Sequence, residues 1–413
     1  MLGLLLSHLV QQGTLTVVWP NGDTSVFGSG SPRATVRLNG RSTPWRLALN
    51  PELALGEAYM DGRLNLLSGT IADLLEILIS NMGRHAPWIA RLKRICRGWV
   101  RLVSQFNPAG RARKNVASHY DLSSKLYDLF LDSDRQYSCA YFPEPKMSLE
   151  AAQLAKKRHI AAKLNLDRPG LKVLDIGSGW GGLALDLARD GKADVQGITL
   201  STEQLEMANA RAQSMGLSDR CRFDLKDYRA VEGTFDRIVS IGMFEHVGVG
   251  YYDAFFGKVA ELLAPDGAAL LHTIGRTDPP GGTNPWVAKY IFPGGYTPAL
   301  SEVAAAIERH GLYIMDVEVL RLHYAETLKE WRMRFLRNRN KAAALYDERF
   351  CRMWEFYLAG AEMSFRHDHL VVFQVQLARR VDALPITRDY MMESERALRL
   401  GAMERGQRAH EAA

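Results

Sequence analysis

From about residue 148 onward, short runs that are apolar at nearly every position alternate with longer stretches in which apolar residues recur every three or four places. KVLDI at 172–176, ADVQGIT at 193–199, FDRIVSIGM at 235–243 and AALLHTI at 268–274 read as strands, and the continuously apolar ones as strands buried on both faces. Cys221 to Leu225 reads as a shorter one. Between them, Ser201 with Gln204 three residues on predicts a capping box opening a helix that ends near Gly216. A second helix spans 251–263 and is expected to stop at Pro265-Asp266-Gly267. The alternation predicts an α/β fold, a doubly wound and mostly parallel sheet with helices on both faces. Such sheets bind ligands beyond the carboxyl ends of their strands, so Asp175, Thr199, Asp227, Glu245 and His272 should converge there.

Residues 13–48 have a different texture. GTLTVVW, a Pro20-Asn21-Gly22-Asp23 turn, TSVF, ATVRL and WRLAL predict a small sheet, and Ile71, Leu74, Leu75 and Leu78 predict an amphipathic helix over 70–81. Asn107-Pro108-Ala109-Gly110 marks a boundary, which gives a smaller α+β domain at 1–108 and a larger one at 109–413. Beyond the last strand of the central alternation, RTDPPGGTNPWVAKYIFPGGYTP is too rich in Pro and Gly to be regular and reads as a lid or channel wall. Residues 301–310 and 325–380 read as helical, with strand-like stretches at 312–321 and 370–375.

Composition narrows the function classes. The four cysteines are dispersed with no C-x-x-C pair, so neither a disulfide framework nor a metal site is expected and a reducing, cytoplasmic setting fits. The opening MLGLLLSHLVQQG lacks the basic flank and cleavage site of a signal peptide, and no stretch approaches the ~18 apolar residues of a membrane span. The net charge of +6 is concentrated: 77–120 holds nine basic residues and no acidic one. Within that segment Trp88, Ile89, Leu92, Ile95, Cys96, Trp99, Val100 and Val103 recur at helical spacing among Arg91, Lys93, Arg94, Arg97 and Arg101. A helix of this kind either lies on an anionic bilayer or packs its apolar face on its own domain. No recognised nucleic-acid motif accompanies it, so a nucleic-acid partner is not expected.

The run VLDIGSGWGG carries the first chemistry. Gly177, Gly179 and Gly182 satisfy the G-x-G-x-x-G spacing after an apolar strand, where glycine lets a ligand approach the backbone and the next helix offers free N–H groups. Alone that spacing is a weak signal, equally met by an empty glycine turn. No acid follows at the end of the second strand, where Gly197-Ile198-Thr199 stands, which weakens a nicotinamide dinucleotide. No Lys follows the glycines, which disfavours a nucleoside triphosphate. Asp175, two residues before Gly177, suits a ligand with an ammonium group such as S-adenosylmethionine. Further on, Glu245-His246 follows one buried strand and His272 lies in another. A histidine there is ordinarily a satisfied core residue, but a Glu and a His at strand ends beside a ligand can also bind an anion or act as a general base. Tyr324 adds a hydroxyl.

Taken together, NVASHYDLSSKLYDLFLD, YSCAYF, VLDIGSGWGGLAL, GITLSTEQ, GMFEHVG, LLHTIG, YIFPGGYTP and HYAETLKEW, in this order from about residue 110 to 380, resemble the cyclopropane-fatty-acyl-phospholipid synthase family, which includes the mycolic acid cyclopropane synthases. The resemblance implies a class I methyltransferase Rossmann-like fold. It implies S-adenosylmethionine held by Tyr137, Ser138, Asp175, Gly177, Gly179, Thr199, Gln204, Asp227 and Tyr228. It further implies a bicarbonate ion, the proton acceptor, held by Glu245, His272, Tyr324 and the backbones of Cys139 and Ile274, with Glu245 itself as the rival base. The reaction would transfer a methylene to a cis double bond of a phospholipid acyl group through a carbocation, which the faces of Tyr137, Tyr141 and Tyr324 are suited to stabilise. Two other outcomes stay open: a sister C-methyltransferase acting on acyl groups to give a methyl-branched or methylene product, and a catalytically silent lipid-binding protein. The implied partners are unsaturated phospholipids at the inner membrane surface, met peripherally from the cytoplasm, and a second copy in a homodimer. Some family members carry a late cysteine; the matching position here is Ala361, so a nucleophilic cysteine is not expected.

If the basic segment contacts membrane, replacing Arg91, Arg94 and Arg97 by Ala weakens co-sedimentation with anionic vesicles; unchanged binding assigns that helix to packing.

Overall fold

Five parallel strands form the centre of the larger part of the protein, and the inner ones are apolar for the reason their sequence announced. In β4 (Lys172–Ile176) the last four residues are all buried, because helices cover both faces. The sheet has seven strands in the order β6-β5-β4-β7-β8-β10-β9, with β5 (Asp194–Thr199), β6 (Cys221–Leu225), β7 (Phe235–Ile241) and β8 (Leu263–Arg276) parallel to β4. β10 (Leu370–Ala378) runs antiparallel between β8 and β9 (Tyr313–Leu320). The strand order reverses at β4, which puts a crevice at the carboxyl ends of β4 and β7. The computed structural model describes residues 1–85 and 124–411. The basic segment at 88–103 and the boundary expected at 108 lie outside the described residues.

Two expectations in this region need correction. The Pro265-Asp266-Gly267 turn does not separate helix from strand, because β8 already begins at Leu263. Its pairing with β7 passes from Phe235 opposite Leu263 to Arg237 opposite Ala268, so the extra residues are taken up as an irregularity, where a sheet tolerates proline. The capping box is also only half formed. Ser201 Oγ accepts the Gln204 amide at 3.4 Å, but the Gln204 side chain accepts a bond from Thr199 Oγ1 at 2.9 Å instead of returning to Ser201.

The first 85 residues form a three-stranded sheet, β1 (Gln12–Val18), β2 (Thr24–Leu38) and β3 (Leu64–Ser68), with the helix Ile71–His85 against it. TSVF and ATVRL are two halves of β2 that pair on either side of β1, so that Leu15 stands opposite both Phe27 and Ala34. WRLAL is not a strand. Pro44 at the first turn, where a missing N–H costs nothing, starts the helix Thr43–Leu49, and Thr43 and Leu47 at four-residue spacing are its buried side. Buried Asn81 ties the layers: its Oδ1 accepts the amides of Gln11 and Gln12, both at 3.1 Å, and its Nδ2 donates to the carbonyls of Gln12 at 2.9 Å and Ile77 at 2.7 Å.

This smaller unit docks through the helices Pro51–Met60 and Ile71–His85 onto the helix Glu348–His367, and Pro51–Met60 also meets the helix Pro285–Tyr290. Tyr59 donates to Glu355 at 2.8 Å, Arg352 donates to the Tyr59 carbonyl at 2.9 Å, and the indole of Trp286 lies on Gly56. A Cβ on Gly56 would stand 2.3 Å from Trp286 Nε1. Gly56→Ala therefore costs about 1–3 kcal/mol by overpacking, read as a lower urea midpoint of the first unfolding transition.

Candidate active site

The glycine turn after β4 divides its work between support and approach. Gly177 and Ser178 donate their amides to the Ile198 carbonyl at 3.0 and 2.9 Å, which fastens the turn to β5. Gly177 (φ +84°) and Gly179 (φ +55°) adopt the left-handed conformation that side chains disfavour. A Cβ at Gly179 would meet nothing within 4 Å, so its backbone fronts open space. Gly182 has another purpose: a Cβ there would lie 2.3 Å from Gln136 and 2.4 Å from Asp134, so the glycine lets the 134–138 loop close over the turn.

Tyr137, Ser138, Asp175, Gly177, Gly179, Thr199, Gln204, Asp227 and Tyr228 all line one pocket at the carboxyl ends of β4, β5 and β7. Asp227 is held by Arg229, whose guanidinium donates at 2.8 and 2.7 Å. Burial raises the Asp175 carboxyl to about 7, opposed by the ammonium of Lys156. Lys156, itself pushed down to about 8 by burial against the pull of Asp132, donates to Ser138 Oγ at 3.0 Å and to Gln136 Oε1. Residue patterns alone did not reveal Lys156, which lines the pocket together with His246, the neighbour of Glu245. Lys156 is one of three successive basic residues in Leu149–Lys163, and nothing local marks which of them points inward. His246 is lowered to about 4 by burial.

The other five candidates lie alongside this pocket. Glu245 Oε1 accepts the Ile274 amide at 2.6 Å, so the backbone N–H expected to face the anion is here engaged by the carboxyl group of Glu245. Glu245 Oε2 is buried without a hydrogen-bond partner among the described residues, and burial raises the group to about 7 against the lowering effect of its backbone bonds. His272, two residues before Ile274 and on the same face of β8, is buried and its Nδ1 lies 3.1 Å from Gln374 Nε2. Cys139 is buried in the strap that precedes the sheet, and burial drives its thiol far up, leaving no thiolate. That strap is pinned to the helix His323–Arg337, which carries Tyr324: Ala140 N donates to Thr327 Oγ1 at 3.0 Å and Phe142 N to His323 Nδ1 at 2.9 Å.

Aromatic rings join the two sets. Tyr137 stacks on Trp331 at 5.1 Å between centroids, Trp331 meets Tyr324 edge-on at 5.8 Å, and the hydroxyls of Tyr137 and Tyr357 lie 3.2 Å apart. Phe292, from the Pro- and Gly-rich insertion, contacts Tyr357 at 5.8 Å and His246 at 6.0 Å. Tyr141 belongs elsewhere: it lies between the rings of His159 and His323, at 4.2 and 5.0 Å, instead of joining Tyr137 and Tyr324.

With this geometry in place, the comparisons with known proteins are decisive on family. The profile of the Mycolic acid cyclopropane synthetase family matches residues 108–375. The protein belongs to that family. Residues 2–86 match a second profile, a domain of unknown function (DUF7884). The protein is 38% identical over 359 residues to the cyclopropane-fatty-acyl-phospholipid synthase of Escherichia coli (strain K12), covering 86% of this sequence and 90% of the relative. It is 43% identical over 370 residues to a probable fatty acid methyltransferase of Pseudomonas putida, covering 86% and 89%. Among solved structures, the cyclopropane synthase MmaA2 from Mycobacterium tuberculosis superposes with a TM-score of 0.62 at 33% identity, over 66% of this protein and 99% of that one. The sheet is thus that of a class I methyltransferase, and the family is one of enzymes.

Glu245 has a stability signature. A carboxyl raised on folding is cheap when neutral and costly when ionised, so its contribution is present at low pH and is lost as pH rises through about 7. Glu245→Gln is expected to stabilise the fold by about 1–3 kcal/mol at pH 8 and to leave it nearly unchanged at pH 5, as read by thermal unfolding at both values.

Proposed function

We propose that the protein transfers a methylene from S-adenosylmethionine to a cis double bond of a phospholipid acyl group, making a cyclopropane. The observation that carries this reading is the Glu245 carboxylate, held by Ile274 N, with a buried unpartnered oxygen, one residue from a side chain of the glycine-turn pocket. Ring closure needs a proton acceptor at the added methyl, and a buried carboxylate beside a nucleoside pocket is suited to hold or to be that acceptor.

S-adenosylmethionine supplies an electrophilic methyl on a sulfonium. Asp175 would hold its ammonium group, the backbone at Gly177 and Gly179 would allow close approach, Thr199 and Gln204 would take the ribose hydroxyls, and Asp227 and Tyr228 would meet the adenine end. Gln204 already bonds to Thr199, and the two together present a polar pair to the pocket. The solved synthase CmaA1, 35% identical with a TM-score of 0.60, is described in complex with SAH and CTAB, which supports a nucleoside pocket opening toward a lipid-like tail.

An alkene is a weak nucleophile, so the protein's contribution is to hold it in line with the methyl in a dry enclosure. The π pair forms the new carbon–carbon bond as the carbon–sulfur bond breaks, and the cation is left on the acyl group. Loss of a proton from the added methyl frees the pair that closes the ring. Tyr137, Trp331 and Tyr324 offer π faces to that cation and exclude water from it. A bicarbonate ion would accept the proton. Glu245, near half-protonated at neutral pH, tolerates a neighbouring anion and can donate to it through Oε2, while neutral His272 and Tyr324 add donors. Glu245 as the direct base is the rival within the same site.

The second reading is a sister reaction in which a different proton leaves. It is favoured by relatives such as the tuberculostearic acid methyltransferase UfaA1 of Mycobacterium tuberculosis, 35% identical over 398 residues, covering 91% of this protein and 90% of that one. In either case the enzyme works peripherally, from the cytoplasm, on a membrane surface, and as a homodimer; no helix among the described residues is long and apolar enough to cross a membrane.

Purified protein incubated with S-adenosylmethionine and vesicles of cis-monounsaturated phospholipid should give fatty acids one CH₂ heavier that co-elute with a cyclopropane standard. Depleting carbonate should slow turnover and adding bicarbonate restore it. A one-carbon product with another retention time moves the assignment to the sister reaction, and a rate indifferent to bicarbonate makes Glu245 the base.

A further inference from the structure

β8, β10 and β9 lie side by side, and their register puts His272 opposite Gln374 and Gln374 opposite Glu318. Residues directly opposite in antiparallel strands share a face, so the three form a polar row across the sheet. The helix Leu149–Lys163 covers this row with its last turns. Lys163 Nζ donates to Gln374 Oε1 at 2.7 Å and also to the Glu318 carboxylate. His159 bonds Glu318 at 2.7 Å through one ring nitrogen and Glu395 through the other. The same end of the helix is fixed through its backbone too, since Gln376 donates to the Lys163 carbonyl at 2.6 Å.

A lysine ammonium can only donate. Gln374 Oε1 is therefore committed as an acceptor, and the amide has one orientation, with Nε2 as the donor to its other neighbour. That neighbour is His272 Nδ1, at 3.1 Å. A ring nitrogen that accepts carries no proton, so the single proton of neutral His272 sits on Nε2, on the far side of the ring from Gln374.

We propose that Lys163 and Gln374 are positioning residues that lock His272 as the neutral tautomer with its proton on Nε2, so that it gives the proton-accepting anion a hydrogen bond without a proton. This rests on the reading of His272 given above. An imidazolium would hold an anion more tightly but would also protonate it, spoiling an acceptor that must take a proton from the added methyl. The surroundings keep the ring neutral: burial, then Lys156, Lys163 and His159, hold it down to about 3, and Glu318 alone pulls the other way. The row thus does two things. Glu318, drawn down to about 2 despite burial by His159 and Lys163, holds the Lys163 ammonium in place against the burial that lowers it, and Lys163 keeps Gln374 turned.

The test is nitrogen-15 NMR of the full-length protein labelled at histidine, with His272 assigned by the resonance lost in His272→Gln. The wild-type ring should show one neutral form, protonated on Nε2, with no titration between pH 6 and 8. A proton on Nδ1, or a doubly protonated ring at pH 7, overturns the proposal. In Gln374→Glu the carboxylate takes both Lys163 and His272 as donors, so Nδ1 becomes protonated; an Nδ1 that stays bare overturns the part given to Gln374. The same variant should lose at least tenfold in kcat with KM for S-adenosylmethionine within twofold, and an unchanged kcat overturns the catalytic role of the tautomer. Lys163→Arg keeps a donor on Gln374 Oε1 and should retain the wild-type tautomer; loss of it removes Lys163 from the lock. If wild-type protein makes no one-carbon product from unsaturated phospholipid, the functional reading fails, while the spectra still decide the tautomer.

Discussion

The burial of ionisable groups at the carboxyl ends of the strands is the constraint to which the rest of this structure conforms. Asp175, Lys156, Glu245 and His272 are all taken out of water, and burial pushes each toward its neutral form. A charge in such a place is tolerable only with a partner or a hydrogen bond, and the fold provides these sparingly. Lys156 has Ser138 and Gln136, Glu245 has the Ile274 amide together with its own backbone and the Thr273 hydroxyl, and His272 has one glutamine. Burial therefore raises Asp175 and Glu245 and lowers Lys156 and His272, each toward its uncharged form.

Bringing these groups together requires close packing of one segment on another, and glycine is where that is visible. Gly182 admits the 134–138 loop over the turn, and Gly197 in β5 leaves room that Phe223 and Ser178 fill, with a Cβ there only 2.5 Å from the Phe223 ring. The strap from Tyr137 to Phe142 then lies between the cofactor-type pocket on one side and the helix His323–Arg337 on the other. Tyr137 belongs to both environments, lining the pocket and stacking on Trp331. Its burial raises the phenol well above its usual range, so it remains a neutral aromatic surface.

Much of the sheet was legible because a doubly covered strand is apolar throughout: KVLDI and AALLHTI have no polar alternation to mislead. The N-terminal unit was harder. WRLAL has strand-like composition, yet Pro44, immediately before it, decides for helix, a local stereochemical effect that outweighs residue preference. β3 (LNLLS) and the helix Pro51–Met60 have no clean period to mark them; the helix is buried on scattered sides by contacts with distant segments. At the site, motifs located the residues that line the pocket at the carboxyl ends of β4, β5 and β7. They did not locate Gln374, whose place comes from register between strands far apart in sequence, or Lys156 and Lys163, whose places come from the face that the covering helix Leu149–Lys163 turns inward, and a single sequence holds no record of either.

That last point bears on how the site is built. His272 and Glu245 could be found from their own strands, but the surroundings of His272 are set by residues from β9, β10 and the helix Leu149–Lys163. The antiparallel strand β10 is what makes this possible. By entering between β8 and β9 it carries Gln374 to the flank of His272 and leaves Glu318 one strand further out, at a distance suited to a lysine reaching down from the covering helix. A sheet ending at β8 would leave His272 Nδ1 to water or to either tautomer. The reversal of one strand near the sheet's edge thus connects topology to proton placement.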